Sequence, residues 1–183
     1  MDRQHRMTII AVFICVVAAA VAIGSALWLR YAEMPPRLAA EEERADLIEV
    51  DKTNRQLALK RDGRVLRSYR VALGFAPNGN KEREGDGKTP EGEYVIDWRN
   101  PKSQFHLSLH VSYPDDRDRA RAAAAGVDPG GDIMIHGQPN GLRSWFNRHN
   151  SRDWTVGCIA VRDREMREIW SLVADGTRIV IRP

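Results

Sequence analysis

Two residues in the C-terminal half of this chain have the types and the setting for nucleophilic chemistry. His136 follows the apolar run Ile133-Met134-Ile135 and precedes Gly137; Cys158 follows Gly157 and precedes Ile159-Ala160-Val161. A free thiol titrates at about 8.5 and is weakly ionised at neutral pH. A neighbouring imidazole raises the thiolate fraction and can return the proton to a leaving amine. Gly157 lets the chain approach a substrate carbonyl closely. Backbone N–H groups at Gly157 and Cys158 can then stabilise a developing oxyanion. Together these are the parts of acyl transfer through a thioester.

Each residue also has a plainer reading. Cysteine is often a small buried hydrophobe, and a histidine at a strand end is often just a satisfied polar group. The two readings weaken jointly, because glycines flank both residues and Cys158 is the one cysteine in the body of the chain. The other, Cys15, lies in an apolar N-terminal run. An internal disulfide in the body is therefore excluded, and the absence of a CxxC pair argues against a zinc ribbon or thioredoxin-like motif. No HExxH is present. His106 and His110 share one face of an alternating strand and with a third ligand would suit a metal. The preferred reading makes His106 an ordinary polar residue and gives His110 a minor role lining the site. Gly85-Asp86-Gly87-Lys88-Thr89 has the look of a phosphate loop, but Glu82 stands where its first glycine belongs and Pro90 stops the helix that should follow. Nucleotide binding is rejected.

The elements that must hold the pair in place read as strands. Leu47–Val50, Gln56–Lys60, Val65–Leu73, Tyr94–Trp98, Phe105–Val111, Asp132–Ile135 and Thr177–Ile181 carry apolar or alternating patterns. Asp62-Gly63 is a hairpin signal, since both central residues of such a turn need positive φ. One short helix is expected over Arg117–Ala125, capped by Asp115 or Asp116 and ended by Gly126. A second is capped by Asp163, with Met166, Ile169, Trp170 and Val173 as its core stripe. Strands without regular βαβ alternation predict a mainly β fold, sandwich or barrel-like, with short peripheral helices.

The chain has 183 residues, 43% hydrophobic and 29% charged, with a net charge of +3. The arginines are scattered among acids, so nucleic acid is not the expected partner. Met7–Leu29 carries no charge over 23 residues; as a helix it would rise about 34 Å, enough for about 30 Å of hydrocarbon. The expected layout is a cytoplasmic N-terminus (1–6), an uncleaved transmembrane anchor (7–29), a linker (30–46) and a body (47–183) outside the cytoplasm.

The body also resembles the L,D-transpeptidase catalytic domain (YkuD-like), from about Leu47 to Ile181. The resemblance is carried by Gly85-Asp86-Gly87-Lys88-Thr89-Pro90-Glu91-Gly92, Leu109-His110-Val111-Ser112-Tyr113-Pro114, Ile135-His136-Gly137 and Thr155-Val156-Gly157-Cys158. It implies a β-sandwich, Cys158 as nucleophile, His136 as base, and the backbone carbonyl of Gly137 as the group that orients the imidazole. The implied substrate is a peptidoglycan stem peptide. Cys158 would attack the carbonyl before a terminal D-alanine, and an amine would resolve the thioester. No metal or organic cofactor is implied. His110, Thr155, Arg143, Arg152 and Trp154 are the expected substrate-binding residues. Val156 and Ala160 depart from the family pattern, which commonly has histidine before the Gly-Cys pair and asparagine or arginine two residues after it. Hydrolysis of the same intermediate, by a carboxypeptidase or a cross-link-cleaving endopeptidase, stays open, as does a non-catalytic peptidoglycan-binding role.

Overall fold

The computed structural model describes residues 13–25, 34–141 and 152–183. The chain divides into two compact units, Met1–Met34 and Pro35–Pro183. In the first, residues 13–25 form an exposed helix, α1. It rises about 20 Å, and among the described residues no helix is long and apolar enough to cross a membrane. The rest of the segment expected over 7–29 lies outside the described residues.

The second unit is built from β1 (Leu47–Asp51), β2 (Gln56–Arg61), β3 (Arg64–Arg70), β4 (Gly92–Ser103), β5 (His106–Val111), β6 (Met134–His136), β7 (Ile159–Ala160) and β8 (Arg178–Arg182). They form one eight-stranded sheet in the order β3-β2-β1-β8-β4-β5-β6-β7. Neighbours are antiparallel except β1 with β8 and β6 with β7. The mainly β expectation holds, but the sandwich is one sheet in two halves rather than two separate sheets. The reason is β4, whose Gly92–Val95 pairs with β8 while Ile96–Ser103 pairs with β5. Both halves bury their apolar faces in one core, Ile48 and Leu59 from the first meeting Leu109 and Ile135 from the second.

The strand expected over Val65–Leu73 is split. Asp62 and Gly63 turn with φ of 49° and 75°, and β3 runs back along β2 as far as Arg70. The chain then leaves β2. Ala72 exchanges two backbone hydrogen bonds with Ala160, 2.9 and 2.8 Å, and Leu73 O accepts from Trp154 N and Thr155 N, both at 3.1 Å. The sheet is thereby rolled until its outer strands meet, next to Cys158.

Helix α2 (Asp116–Ala125) is capped by Asp115, whose carboxylate accepts from Asp118 N, and ends at Gly126 with φ 69°. Helix α3 (Asp163–Leu172) buries Met166, Ile169 and Trp170, and Val173 beyond its end is buried too, as the spacing predicts. Its cap is a correction. Arg162 occupies the N-cap, and Asp163 is the first helical residue with its carboxylate turned away to Gln138 N. The segment expected as a linker is tied to this unit from Ala39, whose N–H donates to Ser171 O at 2.9 Å.

The 77–92 loop is held by buried charge. Lys52 Nζ donates to Gly79 O (2.6 Å), Thr89 O (3.0 Å) and Glu91 Oε1 (2.6 Å). The Asp86 carboxylate accepts from Lys81 Nζ (2.9 Å) and from the Glu82, Arg83 and Lys88 amides. Amides that could cradle a phosphate are thus closed on a side chain of the chain itself. Burial alone would raise the Asp86 pKa, but those amides and Lys81 bring it down to about 2. A carboxylate lowered by folding contributes stability above its unfolded pKa of about 3.9 and loses it as pH falls toward the folded value. Asp86→Asn is expected to lower stability by about 2 kcal/mol at pH 7 and to flatten the loss between pH 4 and 2, measured by urea unfolding across that range.

Candidate active site

Strands β6 and β7 run parallel, with Ile135 opposite Ile159 and His136 opposite Ala160. Their side-by-side course brings two residues distant in sequence to one place. His136 ends β6, and Cys158 immediately precedes β7. Both line a single cleft of about 580 Å³ with Asn100, Ser108, Met134 and Trp154.

The imidazole is fixed on every side. It is buried, with the Phe105 ring 4.6 Å away and the Trp154 ring 5.7 Å away at a steep angle. His136 Nδ1 lies 2.7 Å from Gly137 O. A carbonyl oxygen can only accept, so Nδ1 carries the proton and Nε2 of the neutral ring is left as the basic nitrogen. Burial pushes the His136 pKa below its ordinary value, against the opposing pull of the Gly137 bond.

The thiol is held differently. Cys158 Sγ accepts from Met134 N at 3.4 Å and donates to Asp132 O at 3.5 Å. Burial pushes its pKa up, and the Asp132 charge adds to this, against the Met134 amide and Lys81. At neutral pH the resting site is therefore a neutral thiol beside a neutral imidazole.

The turn before the cysteine is locked by Thr155, which is buried. Its Oγ1 donates to Cys158 O at 2.6 Å and accepts from Gly157 N at 3.2 Å. Gly157 has φ 137°, and a Cβ there would lie 2.8 Å from Lys88 O, so the 85–92 loop and the cysteine turn fit only without a side chain. Asp153 anchors the other end, accepting from Leu73 N at 2.9 Å and pairing with Arg55 at 2.9 Å.

The L,D-transpeptidase catalytic domain family (YkuD) matches residues 45–181. The chain belongs to this family. YafK of Escherichia coli (strain K12), whose name assigns it provisionally to the L,D-transpeptidases, is 29% identical over 112 residues, covering 60% of this chain and 37% of YafK. The chain thus spans little more than a third of that curated relative. Among solved structures, the helical cell shape determining protein Pgp2 from Campylobacter jejuni is similar with a TM-score of 0.58 at 24% identity, covering 74% of this chain and 46% of Pgp2. An L,D-transpeptidase from Xylanimonas cellulosilytica gives 0.51 at 17% identity, covering 80% and 65%. These structural likenesses concern the fold.

The cleft gathers some of the expected residues and not others. Cys158, His136, Thr155 and Trp154 line the cleft. Of the two backbone donors expected for an oxyanion, the Gly157 N–H is already bonded to Thr155. His110 is not among the lining residues: its ring stacks on Trp98 at 4.9 Å and its Nδ1 lies 2.6 Å from Asp97 Oδ1. Arg152 is exposed and outside the lining, and Arg143 lies outside the described residues. Sequence reading missed Phe105, Asn100 and Ser108. Ser108 pairs with His136 across β5 and β6, so the alternation that marked His106 and His110 also carried this signal.

The neutral pair has a measurable consequence. Cys158 alkylation by iodoacetamide should be slow at pH 7 and keep rising above pH 9, because burial raises rather than lowers the thiol pKa. His136→Ala should leave that profile nearly unchanged. A plateau near neutral pH, abolished by His136→Ala, would instead reveal a resting thiolate–imidazolium pair.

Proposed function

We propose that the chain is a peptidoglycan L,D-transpeptidase working by cysteine acyl transfer. The observation that carries this reading is the shared cleft: His136, held with its proton on Nδ1 by Gly137 O, faces the same space as the Cys158 thiol. Family membership supplies the reaction class.

In this mechanism the thiol leaves its resting contact with Asp132 O. His136 Nε2 takes the Sγ proton as sulfur attacks the carbonyl carbon of the bond between the third stem residue and D-alanine. The Cys158 N–H is assigned to the oxyanion. As that adduct collapses, the C–N bond breaks, His136 returns the proton to the departing D-alanine amine, and a thioester remains on Cys158. An acceptor amine then attacks the thioester, gives a proton to His136, and releases the thiol. Phe105 and Trp154 limit water around the imidazole, which favours an amine that binds over bulk solvent.

The same proposal places the protein at the membrane, body outward. The uncharged run Met7–Leu29 supports this placement, and a C. jejuni relative in fold described as a cell shape determinant is consistent with an envelope role.

The test uses the full chain with a stem tetrapeptide, with and without an added D-amino acid or diamine, and reads product mass. Expected are D-alanine release, a Cys158 acyl adduct, and a product in which the amine replaces D-alanine. His136→Ala should slow release by about 10²–10⁴-fold, and Cys158→Ala should abolish it. A tripeptide as sole product at every amine concentration would make the enzyme a hydrolase. Undiminished release by Cys158→Ala would overturn the thioester, and no turnover by the wild type would leave a binding module.

A further inference from the structure

We propose that Asp163 is a positioning residue for His136, acting through the peptide bond between Gly137 and Gln138. The inference rests on the proposed role of His136 as base. One amide plane carries two hydrogen bonds at its opposite ends. Its carbonyl, Gly137 O, accepts from His136 Nδ1 at 2.7 Å. Its N–H, on Gln138, donates to Asp163 Oδ1 at 2.7 Å. A carboxylate on the N–H end polarises the amide and makes its oxygen a stronger acceptor, because hydrogen bonds in a chain reinforce one another. The result is an acid–base–nucleophile series in which a peptide group stands between the acid and the base.

The preceding His136–Gly137 peptide and the Gln138 side chain are held as well. Gly137 N donates to Phe105 O (3.0 Å) and Leu107 O (3.2 Å), and Val161 N donates to His136 O at 2.9 Å. Gln138 Nε2 donates to Val161 O at 2.7 Å. Glycine at 137 follows from the same geometry: a Cβ there would lie 2.5 Å from Asp163 Oδ1 and 3.0 Å from His106 Cβ. A side chain at this position would push the carboxylate off the Gln138 amide.

Helix capping does not account for the Asp163 carboxylate. Helix α3 is closed by Arg162 and Glu165, with Arg162 N donating to Glu165 Oε2 at 3.0 Å. Asp163 sits in its first turn, where the helix favours a negative charge. Among the described residues, His106, from β5, lies within the electrostatic reach of Asp163 and of Arg167, one turn along α3. Burial pushes the His106 pKa down, against the pull of Asp163, so His106 is neutral at neutral pH. Arg167 Nη1 is buried without a hydrogen-bond partner. Across the cleft, His136 shares its space with the neutral Cys158 thiol, the uncharged Phe105 and Trp154 rings, and Asp132.

During attack the proton passes from Cys158 Sγ to His136 Nε2 and no other proton moves. The Asp163 carboxylate, acting through the Gly137 carbonyl, steadies the imidazolium.

Asp163→Asn keeps an acceptor oxygen of the same reach and removes the charge; Asp163→Ala removes both. On the full chain, labelled at histidine nitrogens, we expect Asp163→Asn to lower the His136 titration midpoint by about half a pH unit to one unit. It should reduce kcat for D-alanine release about tenfold with KM unchanged, corresponding to about 1.4 kcal/mol, while Tm stays within about 2 °C. Asp163→Ala should cost about a hundredfold in kcat. Wild-type midpoint and kcat in folded Asp163→Asn would overturn the proposal, as would a kcat that falls only in step with Tm at an unchanged midpoint. If the wild type released no D-alanine, the functional reading would fail, yet the His136 midpoint would still decide the role of Asp163.

Discussion

Two backbone hydrogen bonds between Ala72 and Ala160 are the constraint on which the rest of the site depends. Strand β7 has two residues and could not hold a rigid turn by itself. Its parallel partner β6 supports one edge, and the chain leaving β3 supports the other. Clamped on both sides, β7 fixes the height of Cys158 relative to His136. The same departing chain carries Leu73 and Phe75, which bind Trp154 and Thr155 by their backbones. Gly74 sits where a Cβ would lie 2.1 Å from Gly87 O, so the 85–92 loop, the closing segment and the cysteine turn form one stack with no space for side chains between them.

Within that stack, most of the buried charge is paired off. Lys52, Lys81, Asp86 and Glu91 are paired with one another in the loop behind the site, where low solvent exposure makes each pairing matter. The cleft itself presents a neutral thiol, a neutral imidazole and two aromatic rings, with Asp132 also in its lining. A preformed ion pair would have to be sustained in a poorly solvated space at considerable cost. Keeping both partners neutral until a substrate arrives avoids that cost, and the carboxylate of Asp163 contributes from behind a peptide group rather than by touching the ring.

How much of this could be read beforehand depended on whether a feature was local. The hairpin at Asp62-Gly63, the core stripe of α3, the Gly126 stop and the buried Leu107, Leu109 and Val111 all follow from turn chemistry and periodicity. So did the choice of His136 and Cys158, because glycines and lone-thiol arithmetic are properties of short stretches. Features set by pairing were not legible. β4 continues through Arg99-Asn100-Pro101-Lys102, which has no alternation, because β5 supplies its hydrogen bonds. β3 changes partner at Arg70 with no break in its apolar pattern. Asp163 has the sequence position of a cap, but its carboxylate was claimed by an amide 25 residues away. His110 shares a face with Ser108, yet a stacked Trp98 and a bonded Asp97 account for its ring.

The two apolar departures from the family motif now have different physical meanings. Ala160 is fully buried between Ala72 and His136, and a polar side chain there would be desolvated beside the imidazole without an obvious partner, at a cost of some 1–3 kcal/mol. Its small size belongs to the closure of the sheet. Val156 is 61% exposed at the rim of the cleft, where nothing in the packing demands an apolar group. One substitution is therefore bound to the architecture and the other is not. The polar side chains that line the cleft from outside the cysteine turn include Asn100 on β4 and Ser108 on β5.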